Sequence, residues 1–384
     1  MLMPLYFPGH ELPRVAIVGG GYAGLAAMVT IRERLPDAEI TLIDPREHHL
    51  KITHLHETFR RPLAEMQLSF RRLEERFGIR CMHGSLAYDE DLLELWLEEG
   101  RLSVGEETVG FDYLLWATGG GIKKVDKGEH CLDLSDFTRA SAPELIQQHL
   151  DWAETGKPVI SVVGSGATGI QFLFELAHYL REHGQPAGLR LVDAGDAPLR
   201  QFNPKLGRYV ISRLQDLDID YVPNHVFEAQ TPARISLKNQ DTGESVELPS
   251  ALSLLFVGMG GGRRLETNLF GQLKLKGKVR PKIFAAGDAA LYSVPGSNAL
   301  SAQTALRKGR LAGRNILRHS SRLKLLEPYL HRDLGYVIGM GPADAVGWVG
   351  LEGNIVAGQP AALLKEVVES QYDLLLAGMD TYIL

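Results

Sequence analysis

Residues 14–44 read RVAIVGGGYAGLAAMVTIRERLPDAEITLID. An apolar, β-branched run (14–18) is followed by the glycine-rich GGGYAG (19–24). A helix-like segment and a second apolar run, EITLI (39–43), come next. A strand, a glycine turn, a helix and a second strand within about 30 residues form the unit that opens a doubly wound sheet. The stretch therefore predicts an α/β fold of the Rossmann type.

The glycines of this turn have the spacing Gly19-x-Gly21-x-x-Gly24. In such a turn the first glycine permits the bend, the second lets backbone approach a pyrophosphate, and the third lets helix and strand pack closely. The phosphates meet the positive end of the helix. Asp44 ends the next strand, where a carboxylate accepts hydrogen bonds from ribose hydroxyls. The predicted dinucleotide-binding residues here are Gly19, Gly21, Tyr22, Ala23, Gly24, Asp44 and Pro45.

The same pattern returns at 159–193, with VISVV, GSGATG, a helix and LRLV before Asp193. The two loops begin 145 residues apart, which suits two domains of one type. Asp193 repels a 2′-phosphate, and no arginine follows it before Arg200, so the pattern favours NAD(H) over NADP(H). The predicted residues of this second site are Gly164, Gly166, Ala167, Thr168, Gly169, Gln171 and Asp193.

The composition restricts the class of protein. The chain has 384 residues, 45% of them hydrophobic, and a net charge of -6. A folded core is therefore expected, and a general nucleic-acid binder is not. Cys81 and Cys131 are the two cysteines, which excludes a disulfide framework and a four-cysteine metal site and indicates a reduced, cytoplasmic compartment. No metal, transmembrane helix or signal peptide is predicted.

Two further motifs complete a family pattern. WATGG (116–120) resembles the central ATG turn of flavoproteins with two dinucleotide-binding domains, and KIFAAGDAA (282–290) resembles their late strand-Gly-Asp motif. The order of the four motifs is that of the pyridine nucleotide-disulfide oxidoreductase superfamily. This resemblance implies that the first glycine loop binds FAD and the second binds NADH. It adds Ala117, Thr118, Gly119, Gly287 and Asp288 to the FAD site.

Within that superfamily the chain resembles the type II NADH dehydrogenases, single-subunit NADH:quinone oxidoreductases. The similar segments are ITLIDPREHHLKITHLHE (40–57) and SAQTALRKGRLAGRNI (301–316). The resemblance implies that hydride passes from NADH to flavin and then to a quinone-like acceptor. It also implies that Thr53 lies near the isoalloxazine ring and that Ala302 and Gln303 border the flavin and the quinone. No catalytic acid or base is assigned.

Two residues depart from that family. Gln171 stands where the family has a glutamate near the nicotinamide, and Arg307 stands where it has a second glutamine. If the family's acceptor pocket is present, Arg307→Gln is expected to improve quinone turnover. A histidine cluster spans 48–56 and is interpreted as polar loop residues rather than metal ligands. His56 or Glu57 remains an alternative proton source.

Several functions stay open. Residues 45–58 contain no cysteine, and no Cys-x-x-Cys occurs, so a dithiol relay is excluded and electrons leave directly from the flavin. The alternatives are a relative of sulfide:quinone oxidoreductases, a soluble NADH-dependent reductase of a protein electron carrier, and a flavin-binding interaction protein that resembles apoptosis-inducing factor.

The predicted domain plan has two Rossmann-like domains and a small C-terminal region. A discontinuous FAD domain covers 11–124 and 258–320, the NAD domain 125–257, and the C-terminal region 321–384. Residues 362–378 predict an amphipathic helix. Residues 361–384 have one lysine and four acids, a balance that an anionic lipid surface repels. Packing on the body or on a second subunit is therefore weighed against peripheral contact with the inner face of the cytoplasmic membrane.

Overall fold

The structure is a computed structural model that describes residues 12–122, 127–150, 157–260, 264–293, 298–321 and 324–379. The helices in these ranges are α1 (Tyr22–Arg34), α2 (Phe70–Phe77), α3 (Glu90–Glu99), α4 (Ala142–His149), α5 (Ala167–Glu182), α6 (Pro204–Asp216), α7 (Ala302–Ser320) and α8 (Gln359–Leu376). Short 3₁₀ segments cover Ile52–Phe59, Leu63–Met66, Asp136–Thr138 and Gly287–Ala289.

The strands are β1 (Arg14–Val18), β2 (Glu39–Asp44), β3 (His48–Leu50), β4 (Gln67–Ser69), β5 (Arg80–His83), β6 (Arg101–Val104), β7 (Glu107–Gly110), β8 (Tyr113–Trp116), β9 (Gly121–Ile122), β10 (Cys131–Asp133), β11 (Val159–Val163), β12 (Gly188–Val192), β13 (Asp220–Val222), β14 (His225–Gln230), β15 (Arg234–Asn239), β16 (Ser245–Pro249), β17 (Leu252–Leu255), β18 (Met259–Gly260), β19 (Leu265–Thr267), β20 (Gln272–Leu275), β21 (Lys278–Ala285), β22 (Ala290–Tyr292), β23 (Gly335–Gly339), β24 (Ala345–Val349) and β25 (Leu351–Ala357). The α/β class predicted from the sequence is confirmed.

The largest sheet has eight strands in the order β22-β19-β20-β21-β8-β1-β2-β5. Its centre is parallel, since β1 pairs in parallel with both β2 and β8, and β8 pairs in parallel with β21. Residues 15–18 of β1 and all of β8 are apolar and buried, as expected of strands covered on both faces. This sheet takes strands from two separate parts of the chain, before residue 117 and after residue 264.

A second sheet lies between those two parts in sequence. Its five strands run in the order β10-β17-β11-β12-β13, and every pairing is parallel. A three-stranded antiparallel sheet, β14-β15-β16, precedes β17 in the chain. The predicted boundary between 124 and 125 lies outside the described residues, and the predicted domain limits remain a proposal.

The C-terminal region joins the two units. Strands β23, β24 and β25 form an antiparallel sheet, and α8 packs against this sheet and against α1. On the other unit, Asp344 accepts hydrogen bonds from Tyr209 (2.8 Å) and Arg213 (2.9 Å) of α6. The last helix thus packs on the body of the protein, which is one of the alternatives that its charge favours.

Helices α1 and α7 cross unusually closely because α7 has glycines at the crossing. A Cβ atom on Gly309 would lie 2.1 Å from the carbonyl oxygen of Ala23, and one on Gly313 would lie 2.9 Å from that of Ala27. No side chain fits at these distances. The close crossing places the first residues of α7 beside the glycine loop that precedes α1.

Gly309→Ala should therefore force α1 and α7 apart. We expect a loss of about 3 kcal/mol in the free energy of unfolding, because overpacking a buried contact displaces backbone. Gly353→Ala is the matched control, since no heavy atom lies within 4 Å of a Cβ there. Denaturant unfolding of both variants measures the difference. Equal stability of the two variants would contradict the close crossing.

Candidate active site between two glycine loops

Each glycine loop is held in a conformation that only glycine permits. Gly19 has φ +109°, and a Cβ there would lie 2.3 Å from the carbonyl oxygen of Ala117. Gly164 has φ +103°, and its Cβ would lie 2.2 Å from the carbonyl oxygen of Phe256. Gly24 packs α1 on the loop, since its Cβ would lie 1.9 Å from the oxygen of Gly19. The two loops are the same structure built twice.

The acid after each loop binds loop backbone. Asp44 Oδ2 accepts a hydrogen bond from the Gly20 N–H at 2.7 Å, and Asp193 Oδ2 accepts one from the Ser165 N–H at 2.6 Å. Burial acts to raise the pKa of Asp44, but hydrogen bonds and charge from Arg46 outweigh it and lower the pKa overall. The carboxylate is therefore ionised in the neutral range, and its oxygens accept hydrogen bonds from the Gly20 N–H and from the backbone and side chain of Arg46.

Both helices that follow the loops begin without a side-chain cap. Gly21 is the N-cap of α1 and Gly166 that of α5, and neither helix has an acidic residue in its first turn. No heavy atom lies within 4 Å of a Cβ built on either glycine. Free N–H groups at an open helix start attract a phosphate. The two loops fit the pyrophosphates of two dinucleotides.

The two helix starts open into one cavity of about 460 Å³, a volume typical of ligand sites. The predicted residues that line it are Gly19, Gly21, Tyr22, Ala23, Asp44, Thr53, Ala117, Thr118, Gly119, Ala167, Thr168, Gln171, Gly287, Asp288, Ala302 and Gln303. The predicted residues that do not line it are Gly24, Pro45, Gly164, Gly166, Gly169 and Asp193. Residues from four motifs distant in sequence therefore meet in one place.

Aromatic residues close one side of the cavity. His49 is fully buried; its Nδ1 lies 3.0 Å from the carbonyl oxygen of Gly20 and its Nε2 lies 2.9 Å from the hydroxyl of Tyr372. The neutral ring therefore donates from Nδ1 and accepts at Nε2. Burial lowers the pKa of His49 to about 4. The hydroxyls of Tyr22 and Thr53 lie 2.8 Å apart beside this ring.

A buried lysine lies among carboxylates at the same side. Lys365 of α8 has its Nζ 3.2 Å from Glu57 Oε1 and 2.7 Å from Glu369 Oε1. His54 Nε2 lies 3.4 Å from Glu369. Among the described residues, His54, Glu57 and Glu369 are the one group whose spacing would suit a metal ion. The ammonium group of Lys365 already supplies the cation there.

Gln171 contacts a histidine that burial keeps neutral. Its Nε2 lies 3.3 Å from His56 Nε2. Burial, with the charge of Lys365, holds the pKa of His56 well below its usual value. The nearest carboxylate on α5 is one turn further on, at Glu175, and its Oε1 and Oε2 accept hydrogen bonds from Arg60 at 3.2 Å. Glu175 does not line the cavity, so it does not replace the family's glutamate.

The turn at Asp288 is supported by a second buried lysine. Lys308 of α7 donates from Nζ to the carbonyl oxygen of Ala290 and to Asn298 Oδ1, both at 2.8 Å. Burial lowers the pKa of Lys308 to about 8. Burial also raises the pKa of Asp288, although Lys308 and Arg264 act against it. Lys308 thus attaches the turn to α7 and keeps Asp288 at the cavity.

Arg307 lies outside the cavity, contrary to the expectation for it. Its neighbours Leu306 and Gln303 line the cavity, whereas the charge of Arg307 acts on Tyr329. A one-residue step along a helix turns a side chain by about 100°. The resemblance gives Arg307 a position along α7, but the direction of its side chain depends on the structure of this chain.

Sequence reasoning missed the part of the cavity wall that the C-terminal region supplies. The missed residues are Leu334, Gly335, Tyr336, Val337, Trp348, Val349, Leu364, Lys365, Val368, Glu369 and Tyr372. The lone lysine of 361–384, four residues before Glu369, was the available signal for an internal ion pair. Arg46 was also missed, two residues after Asp44.

Acid should destabilise the protein through His49. A histidine whose folded pKa lies near 4 contributes stability above its unfolded pKa of about 6.5 and loses it as pH falls toward 4. The shift corresponds to on the order of 3 kcal/mol. His49→Gln should flatten the fall of the free energy of unfolding between pH 6.5 and 4. The control is His178→Gln, at a half-exposed position on α5. An unchanged slope in His49→Gln would show that His49 is not buried neutral.

Comparison with known proteins identifies the family. The model of a family described as pyridine nucleotide-disulphide oxidoreductase matches residues 13–309. The type II NADH:quinone oxidoreductase of Staphylococcus aureus is 23% identical to this chain. The alignment covers 96% of this chain and 97% of that protein. The homologous protein of Staphylococcus epidermidis is 25% identical over the same shares.

Solved structures share the fold. The sulfide:quinone oxidoreductase of Aquifex aeolicus has a TM-score of 0.77 at 16% identity and covers 97% of this chain and 93% of its own. NDH2 of Plasmodium falciparum in complex with NADH has a TM-score of 0.75 at 12% identity. The match covers 97% of this chain and 99% of the NDH2 chain.

These matches confirm the predicted resemblance to type II NADH dehydrogenases. They also confirm an oxidoreductase that uses FAD and NAD(H). The chain, with its two glycine loops and one shared cavity, belongs to the pyridine nucleotide-disulphide oxidoreductase family.

Proposed function

We propose that the protein is an NADH:quinone oxidoreductase that works without a cysteine pair. The observation that carries the proposal is the shared cavity, which the starts of α1, α5 and α7 and the turn at Asp288 all line. One cavity then holds the reacting ends of two dinucleotides, and position is the main contribution of the protein to the electron transfer.

The binding residues divide between the two loops. Gly19, Gly21, Gly24 and Asp44 hold the ADP part of FAD, with Tyr22, Ala23 and Pro45 beside them. The ribityl chain and ring lie among Thr53, Ala117, Thr118, Gly119, Gly287, Asp288, Ala302 and Gln303. NADH is held by Gly164, Gly166, Ala167, Thr168, Gly169, Gln171 and Asp193. FAD, when bound, takes electrons from NADH and passes them to the acceptor.

The cysteines support direct transfer to a small acceptor. Cys81 lies on β5 and Cys131 on β10, in two different sheets, and neither lines the cavity. Burial raises their pKa values to about 12 and about 11, so both stay as unreactive thiols. The acceptor must therefore reach the cavity itself. Apolar residues of the C-terminal wall, among them Leu334 and Val368, suit the ring and tail of a quinone.

Reduction of a quinone needs a proton besides the hydrogen that NADH supplies. Gln171 carries none, and His56 is neutral in the physiological range. Lys365 lines the cavity, and its ammonium group, held by the carboxylates of Glu57 and Glu369, carries protons on Nζ. Lys365 therefore holds the proton, and Gln171 orients the ring of His56 through its amide. Lys365 thus takes the place, as proton donor, of the glutamate that the family has at the position of Gln171.

The C-terminal region offers a surface for a partner. Among the described residues no helix is long and apolar enough to cross a membrane. We propose a cytoplasmic protein that contacts the inner face of the cytoplasmic membrane or a second copy through exposed apolar residues of its C-terminal region, such as Leu351, Leu363 and Val367. Its charge of -6 argues against nucleic acid as a partner.

The alternatives have weaker support. A sulfide:quinone oxidoreductase relative shares the fold, but the positions of Cys81 and Cys131 give no pair for sulfur chemistry. No described contact specifically favours a reductase of a carrier protein or an interaction protein like apoptosis-inducing factor. Rapid quinone turnover would separate the proposal from both.

The main test is the visible spectrum of the purified protein with NADH added under anaerobic conditions. Bound flavin should bleach within seconds, and a soluble quinone should restore the colour. Asp193→Ala should raise the KM for NADH by roughly 10- to 100-fold, the value of a charged hydrogen bond, and keep the flavin. Asp44→Ala should lose flavin. A flavin that NADH does not bleach would overturn the proposal. Loss of flavin in Asp193→Ala would mean that the second glycine loop binds FAD and the first binds NADH.

The position of Arg307 gives a second test. Arg307→Gln should leave quinone turnover within about twofold of the original, because the side chain lies outside the cavity. Gln303→Leu removes a polar group from the cavity wall and should raise the KM for quinone roughly tenfold. Steady-state rates with NADH in excess measure both. A large gain in Arg307→Gln would mean that the acceptor binds on the Tyr329 side of α7.

A further inference from the structure

Arg200 lies at the carboxylate expected to bind the ribose of NADH. In sequence it is seven residues from Asp193, and that separation favours a site without an arginine. In the structure its Nη2 is 3.8 Å from Asp193 Oδ1. Its guanidinium lies directly over Gly195, where a Cβ would be 2.1 Å from Cζ. A cation therefore stands beside the acid that is expected to exclude a 2′-phosphate.

The backbone before Arg200 is held in an unusual conformation. Leu199 has φ +57°, which costs on the order of 1 to 2 kcal/mol for a residue with a Cβ. Its N–H donates to the carbonyl oxygen of Ser165 at 3.1 Å, and its side chain is only 1% exposed. Contacts with the glycine loop thus maintain the strain. After this bend the side chain of Arg200 lies over Gly195 and beside Asp193.

The first loop gives an internal comparison. Arg46 donates to both oxygens of Asp44, at 2.9 and 3.1 Å. The hydrogen bonds of this guanidinium group are therefore made within the pair. The side chain of Arg200 is 56% exposed, and its contact of 3.8 Å with Asp193 is too long for a hydrogen bond. Within the described residues no hydrogen bond from its guanidinium is present. Its five donors remain available to an anion, which is what guanidinium groups bind in two-point contacts.

A buried hydroxyl lies close to the same group. The Tyr221 hydroxyl is out of contact with solvent and, within the described residues, has no hydrogen-bond partner. Burial, with the charges of Asp193 and Asp196, raises the pKa of Tyr221 to about 12, while Arg200 acts to lower it. A buried donor without a partner is costly. It is a second polar group within electrostatic reach of Asp193 and Arg200.

We propose that the second nucleotide site accepts NADPH as well as NADH, with Arg200 binding the 2′-phosphate while Asp193 accepts the 3′-hydroxyl. This rests on the proposed function, because it concerns the same loop and the same electron transfer. NADPH and NADH lose the same two electrons and one proton from the nicotinamide, so no further reactant is needed. Arg200 provides the positive charge that binds the 2′-phosphate, which Asp193 alone would repel.

Binding of nucleotide fragments tests the proposal without turnover. Calorimetry on the flavin-loaded protein compares adenosine 2′,5′-bisphosphate with 5′-AMP. The bisphosphate should bind at least as tightly as 5′-AMP. Arg200→Ala should weaken the bisphosphate at least tenfold more than it weakens 5′-AMP, and Arg200→Lys should recover part of the loss. Arg71→Ala, which removes an equally charged but remote side chain on α2, should preserve the ratio of the two affinities.

Other results would overturn the inference. It fails if the bisphosphate does not bind, or if Arg200→Ala weakens both fragments equally or neither. Anaerobic bleaching of the flavin by NADPH and by NADH distinguishes a failure of this inference from a failure of the proposed function. Bleaching by NADH alone would contradict the NADPH proposal and leave the dehydrogenase intact. Bleaching by neither nucleotide, with normal fragment binding, would contradict the dehydrogenase.

Discussion

The geometry of the site depends on a hydrogen bond that occurs twice. In each Rossmann-type unit the carboxylate that ends the second strand accepts an N–H from the glycine loop that follows the first strand. Asp44 holds the loop at Gly20 and Asp193 holds the loop at Ser165. The bond fixes the loop in the position from which its helix starts. Asp193 accepts one more hydrogen bond, from the Gly195 N–H, and keeps lone pairs for a ribose, whereas Arg46 occupies those of Asp44.

Close backbone approaches maintain this arrangement from the other side. The loops press against the carbonyl groups at the ends of β8 and β17, and α7 presses against α1 at Gly309. None of these contacts tolerates a side chain, so the distances between loop, sheet and helix are set by backbone alone. A cavity with such walls changes little when surface residues change. Such contacts are compatible with a fold shared by solved structures at 12% and 16% sequence identity.

Local pattern predicted the parts of the fold whose causes are local. Strands 14–18 and 159–163 match the structure residue for residue, and the C-terminal helix lies within three residues of its predicted limits. Hydrophobic period and glycine spacing suffice for these. The pair Lys365 and Glu57 is separated by 308 residues, and no local pattern encodes it. Phe256, the equivalent of Ala117, was missed because a backbone oxygen makes the contact and the side chain is unconstrained. The position of Arg200 beside Asp193 was missed because it depends on the bend at Leu199, which no local pattern predicts.

The wall formed by α8 is made by the ribosome after both glycine loops, because Gln359–Leu376 follows both of them in the chain. Until Lys365 and Tyr372 have emerged, Glu57 and His49 lack their partners and the cavity is open on that side. Because domains fold in the order of synthesis, both glycine loops are complete while this opening persists. The nascent chain thus offers a dinucleotide an unobstructed entrance. The finished protein closes this side of the cavity with a helix that a buried ion pair holds in place.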